Sequence, residues 1–435
     1  VVSGIGLAVT MVNRLRRGDL DTRAALEAFP VLWMAQEIIE EHWLNPDSKL
    51  PSKPEILVTG TEKKKAALIR MLVVANFVEV WLAKQGHSSP IGINYLEKIQ
   101  LTHLPEIFGA MLAGVDYILM GAGIPNQVPG VLDDLADWKE TSYRLDVAGG
   151  DKFVLPFDPK TLIPEQYRRP LTRPKFLAVV SHHVLAKALA TKASGEIDGF
   201  VVEGPSAGGH NAPARGKEIS ASGEPVYGTK DEPDLPTIIA LGKPIWLAGG
   251  YGTPEKLAEA IRLGATGVQV GSAFALCNES GMLSDIKREI RRQIISGKIR
   301  VMANPTVSPS GFPFQVVQLP NTLSDPKLLG DMERKCDHGY MVAAYKMGSG
   351  AIAFRCPAEP IGDFVRKGGK VEDTESRVCI CKALSATAKD GISAELPYVG
   401  KIVTLGKDLS FRDLLLINPD GSYSAEDVIR WVLGG

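Results

Sequence analysis

Three short runs decide the fold: Phe200-Val201-Val202-Glu203-Gly204, Ile245-Trp246-Leu247-Ala248-Gly249-Gly250 and Val268-Gln269-Val270-Gly271-Ser272. Each is apolar without alternation and runs straight into glycine, as a strand buried on both faces and followed by a tight turn should. The helical stretch Pro254 to Leu263 separates the last two, which is the spacing of parallel βα units rather than of a sandwich. Outward from these runs, Val1 to Ser3, Ile91 to Leu96, Tyr117 to Met120 and Phe176 to Ser181 bring the set to seven strands. The expected fold class is α/β, of the (β/α)8 TIM-barrel type.

Three stretches exceed a minimal barrel. Residues 21–70 carry helical patterns over Arg23 to Phe29 and Met34 to Trp43, a polar turn at Asn45 to Pro54, and a further helix from Glu62. Residues 137–173 hold two short β-rich runs, Tyr143 to Val147 and Lys152 to Pro156, around Ala148-Gly149-Gly150-Asp151, which predicts a hairpin. From Val301 the barrel rhythm is lost. The chain is therefore expected to divide into a barrel over 1–300, with helical and hairpin insertions, and an appended C-terminal subdomain or lid over 301–435.

The 435 residues carry 49 Lys plus Arg against 50 Asp plus Glu, a formal net charge of −1 that argues against whole-chain binding to nucleic acid or an acidic membrane surface. Leu68 to Ala83 is interrupted by Arg70, Asn76 and Glu79 and falls short of the roughly 20 apolar residues a membrane span needs. Five cysteines are too few and too unevenly placed for a secreted disulfide scaffold, so a cytoplasmic location is expected. Cys336, His338, Cys356, Cys379 and Cys381 lack zinc-ribbon spacing, and no metal site is expected.

In a parallel barrel the chemistry lies just after the strands. The turns Ala248-Gly249-Gly250-Tyr251-Gly252-Thr253 and Gly271-Ser272 follow the last two strands, where glycines let backbone N–H groups approach a phosphate and a helix start adds its positive end. The alternative is that these glycines make tight turns and nothing more. No G-x-G-x-x-G follows a strand and no phosphate-loop lysine motif occurs, which argues against a Rossmann dinucleotide site or a nucleotide loop. The densest constellation runs from Glu203 through Gly208-Gly209-His210 to Arg215-Gly216. A histidine freed by two glycines at the catalytic mouth suits a general base with a pKa close to working pH. Asn94 offers an amide to a planar heterocycle or caps a strand end. His182 and His183 also follow a strand, but adjacent histidines match no metal spacing. Lys287 to Arg292 has the spacing of a solvated helix face.

Gly208-Gly209-His210 after Glu203, then Ala248-Gly249-Gly250, then Gln269-Val270-Gly271-Ser272-Ala273-Phe274 together resemble the nitronate monooxygenase family, also called 2-nitropropane dioxygenases. Gly92-Ile93-Asn94-Tyr95-Leu96 and Gly121-Ala122-Gly123-Ile124-Pro125 resemble earlier strand-end segments of that group, and the bacterial flavin-dependent enoyl-acyl carrier protein reductases are similar barrels. The resemblance covers about residues 1–300, in a long form with an added carboxyl-terminal region. It implies non-covalent FMN, with the phosphate on Gly249, Gly250, Gly271 and Ser272 and the flavin ring near Asn94, Gly121, Ala122, Glu203, Gly208 and Gly209. It further implies His210 as the catalytic base beside a small-molecule substrate, with O2 or NAD(P)H as co-substrate and a homodimer as one admissible assembly.

Members of that family open with a strand and a Gly- and Met-rich turn against the flavin, whereas this sequence begins at what resembles their second strand. A seven-stranded barrel lacking its first strand, from a truncated chain, is the expectation. For function, the resemblance implies oxidation of alkyl nitronates with O2 to carbonyl compounds and nitrite. The alternatives are an NAD(P)H-dependent reductase of enoyl thioesters or quinones in the same fold, and a non-redox barrel that binds a phosphorylated metabolite or a partner.

Overall fold

The computed structural model describes residues 1–150, 152–392 and 399–435. In chain order the strands are β1 (Val2–Ser3), β2 (Gly92–Leu96), β3 (Tyr117–Gly121), β4 (Thr141–Ala148), β5 (Lys152–Phe157), β6 (Lys175–Val180), β7 (Gly199–Glu203), β8 (Ile245–Ala248), β9 (Gly267–Gln269), β10 (Val301–Asn304), β11 (Phe314–Val317), β12 (Ala343–Lys346) and β13 (Ile352–Arg355). The seven strands read from the sequence are β1, β2, β3, β6, β7, β8 and β9. Their strand-then-helix succession makes the chain α/β, of the TIM-barrel type. Two compact units divide it: residues 1–178, 189–198 and 337–356 form the first, and 179–188, 199–336 and 357–435 the second.

In the first unit β1, β2, β3 and β6 pair in parallel, with Val2 opposite Ile93, Ile93 opposite Ile118 and Ile118 opposite Phe176. Ile93, Ile118 and Phe176 are fully buried, one row of the core crossing three strands. The 21–70 excursion forms the helices Leu20–Glu27, Leu32–His42 and Ile56–Thr59 and leads into Glu62–Ala83. Among the described residues, Glu62–Ala83 is a helix long and apolar enough by length and composition to cross a membrane, beyond what the interrupted run had suggested. It packs against Leu7–Arg16, Leu20–Glu27, Leu32–His42 and His103–Leu112 and buries Leu68 and the run Leu72 to Val78. Its Asn76 meets the Tyr95 hydroxyl at 2.9 Å, and Arg14 pairs with its Glu79 at 2.9 Å.

The expected hairpin is β4 against β5, antiparallel with Thr141 opposite Phe157; Asp151 of its turn lies outside the described residues. β4 alternates buried and exposed along its whole length, as a strand with one packed face must. β12 adds to β4 in parallel and β13 to β12 antiparallel. The region from Val301, expected as one appended subdomain, is thus shared: 337–356 pairs with the hairpin in the first unit, because β4 offers an unpaired edge that a further strand satisfies.

In the second unit β7, β8 and β9 are parallel, with Glu203 opposite Ala248 and Ala248 opposite Gln269. β9 is half-buried, not enclosed on both faces as its apolar run implied. A second core joins Ile286, Ile290 and Ile294 of the helix Ser284–Ile295 to Leu414, Leu415, Tyr423, Val428 and Val432. The expectation of a solvated face over Lys287 to Arg292 fails at two positions, since Lys287 and Arg291 are buried. Lys287 Nζ donates to the carbonyls of Cys277 and Asn278, and Arg291 Nε donates to that of Leu276 at 2.9 Å. Both neutralise the carbonyl end of the short helix Ser272–Leu276, where cations are favoured.

Candidate functional site

The strands β7, β8 and β9 end level with one another, so the turns that follow them open at one end of the second unit. After β7, Gly204 N–H donates to Ala248 O, and Ser206 Oγ donates to Gly249 O at 2.8 Å, tying the first two turns together. After β8, Gly249 and Gly250 both hold positive φ, 81° and 103°, which lets the chain reverse before Thr253 caps the helix Pro254–Arg262 through Lys256 N–H. After β9, Gly271 leads into Ser272. The N–H groups of Gly250 and Gly271 make no hydrogen bond among the described residues, and a Cβ on Gly271 would meet open space. Two unmatched donors and the Ser272 hydroxyl are the donor set a phosphate requires.

One wall of this cradle is missing from the sequence reading. The segment Thr404 to Asp408 lies against it: Thr404 Oγ1 accepts from Gly209 N–H at 2.8 Å, Ser272 Oγ accepts from Gly406 N–H at 2.8 Å, and Lys407 N–H donates to Ser206 O. Gly208 is glycine for this reason, since a Cβ there would lie 2.9 Å from Gly406 N and Leu405 C. A Cβ on Gly250 would lie 2.7 Å from Asp408 Oδ2, so a carboxylate stands beside the donors and is the group that opposes an anion there. Lys407 is paired with Glu224 at 2.5 Å. The run Lys401 to Gly406, β-rich and ended by glycine, carries the same signal as the barrel strands and could have been found by it.

His210 is held by Phe314 and Ser308. It bridges to Phe314, whose ring stands edge-on to the imidazole at 4.8 Å, and Nε2 lies 2.7 Å from the Oγ of fully buried Ser308. Ser308 Oγ in turn meets Ser310 Oγ at 2.7 Å. Burial pushes the His210 pKa down to about 4, which corrects the expectation of a pKa close to working pH: the loop covers the imidazole instead of exposing it. The ring is therefore neutral at pH 7. Glu203, at the end of β7, behaves oppositely, since burial with no hydrogen bond to its carboxyl pushes its pKa up to about 7. Two titratable groups, one at the end of β7 and one in the loop that follows it, are thus shifted in opposite directions by the same cause, desolvation.

Asn94, Gly121 and Ala122 belong to the first unit. Asn94 is exposed in the middle of β2 rather than at its end, and its side chain makes no hydrogen bond among the described residues, so it caps nothing. Gly121 ends β3 buried, and Ala122 is held in the left-handed region at φ 55°, a conformation that costs a non-glycine residue on the order of 1–2 kcal/mol. No cluster of three or more His, Cys, Asp or Glu side chains suited to a metal occurs among the described residues, and none of the five cysteines is in a disulfide.

Residues 166–298 match the family model of nitronate monooxygenase. A probable nitronate monooxygenase of Bacillus subtilis is 38% identical over 89 residues, 19% of this chain, and the match spans 23% of that protein's length. Among solved structures, FabK from Thermotoga maritima is 16% identical over 83% of this chain and 80% of its own, with a TM-score of 0.46. The enoyl reductase domain of MlnA from Bacillus amyloliquefaciens is 14% identical over 84% and 85%, with a TM-score of 0.45. The stretch that matches the family model holds Glu203, Gly208, Gly209, His210, Gly249, Gly250, Gly271 and Ser272 together.

Proposed function

We propose that the protein is an FMN-dependent oxidoreductase that oxidises alkyl nitronates with O2 to carbonyl compounds and nitrite. The observation that carries this reading is the convergence, inside the family-matched stretch, of a donor-lined glycine cradle and an anchored histidine. Gly249, Gly250, Gly271 and Ser272 would hold the FMN phosphate. Glu203, Gly208 and Gly209 would border the flavin ring. FMN, when bound, would supply the electron-accepting chemistry, which no protein side chain provides.

The chain's own residues supply position and proton control. Ser308 fixes His210 Nε2, leaving Nδ1 as the imidazole nitrogen free to act, and a neutral ring can take the α-carbon proton of a nitroalkane, which yields the nitronate that is then oxidised. Glu203 is protonated for part of the neutral range and so can donate a hydrogen bond where a charged carboxylate could only repel an anion. Anaerobic mixing of the holoprotein with propyl-2-nitronate and, separately, with NADPH tests the reading. Bleaching of the flavin by the nitronate and not by NADPH is expected; bleaching by NADPH alone would replace it with an NAD(P)H-dependent reductase of enoyl thioesters or quinones.

A further inference from the structure

The loop that follows β7 also borders a cavity of about 110 Å3 in the second unit, whose lining includes His182, Glu203, Asn211, Arg215, Tyr227 and Asp231. Two of these groups are complementary and yet unpaired. The Glu203 carboxyl makes no hydrogen bond among the described residues, and neither does the Arg215 guanidinium, which forms no ion pair there either. Asp231, the obvious counterion, is engaged elsewhere: its Oδ1 accepts from Arg215 N–H at 2.8 Å and its Oδ2 from Gly228 N–H at 2.8 Å. Tyr227 Oη donates to Ala212 O at 3.0 Å, and His182 Nδ1 accepts from Val184 N–H. Asn211 is 5% exposed, with Nδ2 on Ala207 O and Oδ1 without a donor. Among these three open groups the Arg215 guanidinium is the charged donor, the Asn211 oxygen being an acceptor.

A guanidinium presents a planar fork of N–H donors that matches two oxygens on one atom. We propose that this cavity is an anion subsite in which Arg215 takes the two oxygens of a small carboxylate, with Glu203 at the other side of the guest. The inference deepens the oxidoreductase reading: a nitronate has the same planar two-oxygen end, so Arg215 becomes the residue that selects anionic over neutral substrates. The consequence for substrate choice rests on that reading, whereas binding itself does not. His182, Arg215, Tyr227 and Asp231 share the lining with Glu203, whose ionisation as pH rises through about 7 adds a like charge to the cavity that holds the bound carboxylate.

The probe is propionate, titrated by calorimetry into the full chain at pH 6 and pH 8.5, with and without saturating FMN. Saturable binding is expected, at least fivefold weaker at pH 8.5, unchanged within twofold by FMN, and at least tenfold weaker in Arg215→Gln with partial recovery in Arg215→Lys. Arg215 is exposed, so the variants should melt as the wild type does and bind FMN equally. Glu203→Gln should keep propionate binding and lose its pH dependence. No propionate binding by the wild type, equal binding by Arg215→Gln, or mutual exclusion of propionate and FMN would each overturn the subsite; a protein that binds propionate but no flavin would instead defeat the oxidoreductase reading and leave the subsite standing.

Discussion

At His210 the two conditions a catalytic base must meet pull against each other. The glycines that precede it bring it to the strand ends, but the same loop buries it, and burial of an imidazole disfavours its charged form. Proton abstraction is therefore expected to keep its rate down to about pH 4–5, and a kcat/KM profile over pH 4–8 whose acid limb turned at 6.5 would rule this out. His210→Asn should retain flavin and slow proton abstraction by about 10²- to 10⁴-fold, the usual contribution of a positioned base, measured by single-turnover kinetics. The location of His210 was legible because strand, glycine and histidine are neighbours in sequence. Ser308 was not, since it lies 98 positions away and no local pattern marks which hydroxyl a long loop will deliver; Ser308-Pro309-Ser310 read equally well as a lid or a packing loop.

Elements show the same division between what is local and what is not. The β4–β5 hairpin and the helices of the first insertion were readable from alternation and helical spacing, because each buries one face on its own account. The wall formed by Thr404 to Asp408 was overlooked, and its contact with Gly208 gives a direct test. Gly208→Ala should lose on the order of 1–3 kcal/mol in denaturant unfolding, since the added methyl meets backbone that cannot rotate away; an unchanged midpoint would show that the wall yields. In the first unit, Glu106 on the helix His103–Leu112 is buried and its pKa is pushed up to about 8 by desolvation. The folded state holds this proton more tightly than the unfolded state, so its contribution to stability is full below about pH 4.5 and is lost as pH rises toward 8. Glu106→Gln should therefore gain stability at pH 9 relative to the wild type and little at pH 5, read from thermal melts at both; an equal change at both values would place the carboxylate's cost elsewhere.

Over the whole molecule the strand succession was the most legible feature, because strands buried on both faces must be apolar throughout and their turns must carry glycine. The fate of the C-terminal third was the least legible: which edge a late hairpin joins depends on an unpaired strand far away in the sequence, and that is how 337–356 comes to extend the β4–β5 hairpin while 357–435 supplies the core helix Ala425–Leu433 and the wall beside the glycine cradle. The family match over 166–298 covers the cradle and the histidine but neither Ser308 nor that wall, so the groups that shape this site lie partly outside the matched stretch. In the proposed reading Gly250, Gly271 and Ser272 hold the FMN phosphate, with the Asp408 carboxylate beside them as an opposing charge. Titration of the full chain with FMN, followed by flavin fluorescence, should show one saturating equivalent, bound at least tenfold more weakly by Ser272→Asp and more tightly by Asp408→Asn; the absence of saturable binding, or affinities untouched by either substitution, would contradict it.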